Sequence, residues 1–143
     1  MLISTKGRYA LRVMIDLAEH QADGFIPLKV IAQRQEISEK YLENIIKLLV
    51  KAKLLTGVRG KGGGYQLAKA PEQYTVESIL RVTEDSIAPV SCLDPDADAC
   101  PHSAECRTLP MWEKLYTLLQ DFFDGITIAD LSAPAQPEDG GPI

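Results

Sequence analysis

The sequence predicts a mainly α fold with a small β-hairpin wing: a winged helix-turn-helix domain followed by a long C-terminal dimerisation helix. Three observations predict it. Two amphipathic helical stretches separated by a short junction occupy residues 28–53. Directly after them comes Val58-Arg59-Gly60-Lys61-Gly62-Gly63-Gly64-Tyr65-Gln66-Leu67, where four glycines and two cations mark a tight basic hairpin tip. Glycine tolerates positive φ and close backbone approach, which suits a turn between paired strands. Finally, residues 109–124 form a long helical stretch with a broad, largely aromatic apolar stripe, which suits a partner helix better than solvent.

Each element has its own local reason. Residues 5–21 read as a first helix: Ser4 or Thr5 can cap it, and Ala10, Val13, Met14, Leu17 and Ala18 recur at helical spacing. Pro27 opens a second helix over residues 28–35, with Leu28, Ile31 and Ala32 inward. Ser38 caps a third over residues 39–53. There Leu42, Ile45, Ile46, Leu49 and Val50 follow i, i+3, i+4, i+7, i+8 spacing, and Lys40, Glu43, Asn44, Lys47 and Lys51 take the opposite face. Such a pair matches a helix-turn-helix, whose second helix places its N-terminal end in the major groove. Leu54, Leu55 and Thr56 start one strand of the wing, and Gly64–Leu67 form the other.

Thr75 caps a short helix that turns Val76, Ile79 and Leu80 inward. Thr108 and Pro110 open the long helix from Leu109 to Asp124, whose apolar stripe is Trp112, Leu115, Tyr116, Leu119, Phe122 and Phe123. Thr127 caps a last turn through Leu131. The Pro- and Gly-containing residues 132–143 are expected to be disordered. The expected division is a DNA-binding domain over 1–85, a cysteine-containing sensor loop over 86–108, a dimerisation helix with its short terminal helix over 109–131, and the tail.

The net charge of −5 hides an asymmetry. Residues 1–70 hold 12 Lys/Arg against 6 Asp/Glu, a net of +6, while residues 71–143 hold 3 against 14, a net of −11. A basic half facing a polyanion and an acidic half with another task fit this division. No apolar run approaches the roughly 20 residues of a membrane span, and the start of the chain lacks a secretory apolar region. A cytoplasmic location is the expectation. Enzyme chemistry finds no support: His20 and His102 lie far apart, and Gly60-Lys61-Gly62-Gly63-Gly64 lacks the order of a phosphate-binding loop.

Three cysteines, Cys92, Cys100 and Cys106, stand in a C-x7-C-x5-C run ending at a helix N-terminus. An odd, clustered set in a cytosolic chain argues for metal or redox chemistry over a disulfide framework. Thiolates are the ligands an iron–sulfur cluster requires, and a helix N-terminus favours nearby negative charge. A structural zinc of the Cys₃His kind and a thiol–disulfide switch are the other readings. A small iron–sulfur electron carrier would leave the basic half unexplained.

Together Ser4-Thr5-Lys6-Gly7-Arg8-Tyr9-Ala10, Ser38 with Tyr41-Leu42-Glu43, Val58-Arg59-Gly60 with Gly62-Gly63-Gly64-Tyr65, the three-cysteine loop, Leu109 with Trp112, and Ile126-Thr127-Ile128-Ala129-Asp130-Leu131 resemble the IscR/NsrR/CymR-type bacterial regulators. The match covers about residues 1–131, in the family's order. The resemblance implies a homodimer on double-stranded DNA with a palindromic operator. It implies Ser38, Lys40, Glu43 and Arg59 as base readers, and Tyr41, Lys61 and the Gly62 backbone as phosphate contacts. A carboxylate such as Glu43 accepts from cytosine and repels phosphate, so it acts as a selectivity filter. The resemblance also implies an iron–sulfur cluster on Cys92, Cys100 and Cys106, with 2Fe-2S slightly preferred over 4Fe-4S.

The sequence departs from the family pattern at three places, the last two of which concern the fourth ligand. The first spacer is seven residues where five is commoner. Leu109 stands where the IscR type has histidine, and Arg8 where the NsrR type has an acid. His102, Glu105, Glu113 or a residue of the other subunit's first helix remain as donors. A cluster-free, CymR-like regulator controlled by thiol oxidation or by a partner protein is the alternative within the family.

Overall fold

Helix α1 (Thr5–Glu19) is the element the rest of the chain packs around. The computed structural model describes residues 3–98 and 100–132. In it α1 contacts α2 (Leu28–Gln35), α3 (Glu39–Lys51), the second wing strand, α4 (Val76–Thr83) and α6 (Ile128–Ser132). Ala10, Val13, Met14 and Leu17 are all buried, as their helical spacing predicts. Ser4 caps the helix by accepting from the Gly7 N–H at 3.0 Å. The Glu84 carboxylate accepts in turn from the Ser4 N–H at 2.6 Å and the Ser4 hydroxyl at 2.5 Å. That places a carboxylate at the positive end of the α1 dipole. The helix stops at Glu19, two residues short of the expected end, because the chain passes into a 3-10 turn over Gln21–Asp23 and Gly24 takes φ 72°.

The helix-turn-helix has the predicted order. Pro27 precedes α2, Glu36 turns the chain in the left-handed region at φ 55°, ψ 46°, and Ile37 is buried beneath the turn. Ser38 then caps α3 by accepting from the Tyr41 N–H at 3.2 Å. α3 ends at Lys51 instead of residue 53, since Lys53 leaves the helix at φ 64°.

The wing pairs β1 (Leu55–Val58) antiparallel to β2 (Gly64–Leu67), with Leu55 opposite Leu67 and Val58 opposite Gly64. β1 begins one residue later than expected and runs further towards the tip. Ile26 exchanges both backbone bonds with Tyr65, at 2.9 and 2.8 Å, and so lies on the other side of β2. A Cβ at Gly63 would overlap the Val58 carbonyl oxygen, and one at Gly64 the Ile26 carbonyl. Tyr74 closes the base: its hydroxyl donates to the Leu54 carbonyl at 2.8 Å and accepts from the Lys69 N–H at 2.9 Å. Burial pushes its pKa above the ordinary tyrosine value.

After α4 the chain runs through an irregular segment with one 3-10 turn at Ser91–Leu93, then into α5 (Leu109–Asp124). It finally returns to its starting unit. The Val76 N–H donates to the Ile126 carbonyl and the Ile128 N–H to the Tyr74 carbonyl, each at 2.9 Å, and Ile128 is buried in the core around α1. The terminal helix, grouped by sequence with the dimerisation element, therefore also completes the core around α1. Residues 133–143, most of the expected disordered tail, lie outside the described residues; Ser132 closes α6.

No residue of α5 is buried. Tyr116 and Phe123 pack on Val76, Leu80 and Ile87 of their own chain. Met111, Leu115, Leu118 and Phe122 face outward, 54%, 37%, 59% and 54% exposed. Their i, i+4, i+7, i+11 spacing is that of a coiled-coil seam. Of the six-residue stripe read from sequence, Tyr116 and Phe123 thus face inward and Leu115 and Phe122 outward.

Candidate nucleic-acid interface

The polar face of α3 is exposed from its first turn onward. Ser38 and Lys40 stand at the N-terminal end, and Glu43, Asn44, Lys47 and Lys51 continue along the same side. Ser38 is occupied as a cap acceptor, which leaves its hydroxyl hydrogen available to donate. Tyr41 is half-buried, its ring meeting the Tyr9 ring edge-on at 5.8 Å between centroids. Glu43 pairs with Lys47 at 3.3 Å, both well exposed. A pair of this kind contributes little to stability and is readily exchanged for other partners.

An open groove of about 610 Å³ lies between α3 and the wing. Leu28, Ile46, Val50 and Tyr65 form its floor, and Glu43, Lys47, Lys51 and Arg59 rim it. Two candidate readers, Glu43 and Arg59, therefore border one groove although they stand sixteen positions apart in sequence. Lys61 and Gly62 are exposed at the wing tip, where Gly62 takes φ 80° and the Gly63 N–H bonds the Gly60 carbonyl at 2.9 Å. Ser38, Lys40 and Tyr41 do not line this groove.

Sequence reasoning missed what α1 contributes here. Asp16, 1% exposed, accepts from Arg34 through Nε at 3.0 Å and Nη2 at 2.7 Å, and from Gln35 Nε2 at 2.8 Å. The Asp16 bond raises the Arg34 pKa. Arg12 bonds both the Gln35 side chain and its backbone carbonyl, and its guanidinium lies 4.9 Å over the Tyr9 ring. Asp16, a carboxylate set among the inward positions Val13, Met14 and Leu17 with Arg12 one turn before it, was the available signal.

The cysteines are spread along the loop. Cys92 is exposed in its 3-10 turn, and Cys100 and Cys106 are half-buried. Among the described residues no three His, Cys, Asp or Glu side chains converge on a point where a metal could sit. His102, Glu105 and Glu113 are exposed. Cys106 stands at the start of α5, its sulfur 3.5 Å from Thr108 Oγ1. The Thr108 hydroxyl, then the backbone N–H groups of Thr108 and Leu109, hold its thiol pKa below the ordinary value. Three free thiols, one of them acidified at a helix start, suit an iron–sulfur cluster in donor chemistry.

A basic recognition helix, a glycine-tipped wing and a long helix with an outward apolar seam define a dimeric winged-helix DNA-binding protein. The comparisons place it more closely. Residues 3–134 match the family model Rrf2, iron-dependent transcriptional regulator. The regulator IscR of Aliivibrio salmonicida is 36% identical over 131 residues, covering 92% of this chain and 77% of that protein. The solved structure of CymR, the global cysteine regulator of B. subtilis, has a TM-score of 0.75 at 38% identity, over 93% of this chain and 97% of that one. IscR of T. potens gives 0.71 at 37% identity, over 95% and 93%. The chain belongs to the Rrf2 family of winged-helix regulators. It is a DNA-binding homodimer with a regulatory, non-enzymatic role. Among the described residues no helix is long and apolar enough to cross a membrane.

Proposed function

We propose that this protein is a cytoplasmic transcription regulator that binds a palindromic operator and answers to the state of its three-cysteine loop. Residues 1–85 would read DNA, 86–108 would sense, and 109–131 would join two subunits along Met111, Leu115, Leu118 and Phe122. Ser38, Lys40, Glu43 and Arg59 are the proposed base readers; Tyr41, Lys61 and the Gly62 backbone hold phosphate. The observation that carries the DNA reading is the shared groove, which brings Glu43 and Arg59 together. A carboxylate there favours cytosine and disfavours mismatched contacts with phosphate.

Cys92, Cys100 and Cys106 are the proposed holders of an iron–sulfur cluster, 2Fe-2S ahead of 4Fe-4S, with His102, Glu105, Glu113 or a partner-subunit residue completing the set. When bound, such a group supplies one-electron redox chemistry and reactivity towards nitric oxide. The chain's own contribution is to hold Cys106 at the head of α5, so that the loop's order bears directly on the dimer helix. Any ligand of the loop changes operator affinity only as far as it distinguishes the two arrangements. Anaerobic purification and reconstitution, read by visible absorption with iron and sulfide analysis on wild type and Cys92→Ala, tests the cluster. A colourless, iron-free product removes it. Equal operator affinity of loaded and apo protein at matched salt removes the coupling.

A thiol switch is the second reading, favoured by the placement of Cys106 beside Thr108 and the first N–H groups of α5. Oxidation-dependent operator affinity in iron-free protein, abolished by Cys106→Ser, is its signature.

A further inference from the structure

The turn that delivers α3 is not comfortable by itself. Glu36 occupies the left-handed region, which disfavours any residue carrying a Cβ, and such a residue persists only where its surroundings hold it. The surroundings come from α1. Arg12 donates through Nε to Gln35 Oε1 at 3.1 Å and through Nη2 to the Gln35 carbonyl. Gln35 is the last residue of α2, so that carbonyl is one the helix itself leaves without a partner. Gln35 is tied in turn to the buried Asp16. The same Arg12 guanidinium stacks on Tyr9, whose ring meets Tyr41 in the first turn of α3. One side chain thus touches the end of the first motif helix and, through one aromatic ring, the beginning of the second.

We propose that Arg12 is a positioning residue for operator reading, which fixes the direction in which α3 leaves the turn and thereby sets sequence discrimination. Base-edge readout demands placement to about 0.5 Å. Attraction to the phosphate chain is long-ranged and survives small rotations of the helix. Loss of Arg12 therefore weakens binding to the correct sequence and spares general affinity for DNA. Lysine cannot substitute, because a single ammonium lacks the planar fork that bonds the side chain and carbonyl of Gln35 while stacking on Tyr9.

The test uses the full-length homodimer and two labelled duplexes: one selected by the wild-type protein from a randomised pool, and a scrambled duplex of equal composition. Fluorescence anisotropy is recorded at several salt concentrations for wild type, Arg12→Ala and Arg12→Lys, with thermal melts showing that each is folded. Both variants are expected to lose about tenfold on the selected duplex, the scale of one mismatched base pair, and twofold or less on the scrambled one. Their salt slopes stay at the wild-type value. Wild-type affinity in Arg12→Lys, or a slope reduced by about one in Arg12→Ala, would identify a direct phosphate contact and overturn the proposal. Equal losses on the two duplexes, or no loss, would overturn it as well.

Discussion

The wing tip and the cysteine loop are both irregular connections, and they are held in opposite ways. The wing turn is determined by its own backbone: Gly63 and Gly64 lie against carbonyl oxygens that leave no room for a side chain, and Gly60 and Gly62 take positive φ. Tyr74 then fastens both ends of the hairpin from below. The segment from Ala88 to Thr108 shows little of this. Its described backbone bonds are local turns, such as Leu93 to Val90, Ala97 to Asp94 and Ser103 to Cys100, and its thiols stand apart. One loop has its shape before its ligand arrives; the other is suited to take shape from what it holds. A reader needs the first property, and the second suits the sensing proposed for the cysteine loop.

The largest effect should come from the helix that follows the cysteine loop and joins two readers. Leu118 is 59% exposed at the middle of the outward seam of α5. Leu118→Glu places a carboxylate there on each subunit without disturbing the chain's own core. Dimers should dissociate, and operator affinity should fall at least about 100-fold as the two half-sites are no longer engaged together. Sedimentation velocity and anisotropy check this. A stable dimer with wild-type affinity would show that α5 joins the subunits by another face.

Next comes the wing. Gly63→Ala forces a methyl group against the Val58 carbonyl oxygen. Overpacking at a site bounded by backbone should cost roughly 2 kcal/mol or more, seen in chemical denaturation, with a matching loss of operator binding. An alanine variant as stable as wild type would mean that the tip is as adaptable as the cysteine loop.

Much of this contrast was already legible in the chain. The glycine cluster announces the wing because glycine at four of five positions has few other uses, and α1 and α3 announce themselves by spacing. The face of α5 did not, since apolar residues surround most of that helix. Tyr116 and Phe123 can be told from Leu115 and Phe122 only once Val76, Leu80 and Ile87 are in place. The Glu84 cap on α1 and the Asp16 knot join residues 80 and 18 positions apart, and polar pairing at such range leaves no periodic trace. The cysteines were legible as a group but not as a geometry, because spacing fixes reach and leaves direction open.

A smaller effect tests the fastening under the wing. Tyr74→Phe removes two hydrogen bonds at a site only 1% exposed and leaves the Leu54 carbonyl and Lys69 N–H without that partner. The expected cost is about 1–2 kcal/mol in urea denaturation. Burial raises the folded-state pKa of Tyr74, so the folded protein favours the neutral phenol. Its contribution is complete below the ordinary tyrosine value, about 10, and is lost as pH rises through the folded-state value. Tyr74→Phe should flatten that alkaline fall; an unchanged profile would assign the fall to other groups.

The smallest effect sharpens the contrast most. Two glycines inserted after Asp96 lengthen a connection that already runs from Glu84 to Thr108. Closure entropy grows only with the logarithm of loop length, so the cost should be about 0.1 kcal/mol. Operator affinity of the iron-free protein should not change. The same two glycines placed between Lys61 and Gly62 must break the bond from the Gly63 N–H to the Gly60 carbonyl and shift the tip. Operator binding should then fall while the helical core stays intact by circular dichroism. If the loop insertion instead destabilises the iron-free protein by about 1 kcal/mol or more, closure entropy cannot account for it. The cysteine loop would then be packed in advance, and the difference between the two connections would be one of sequence alone.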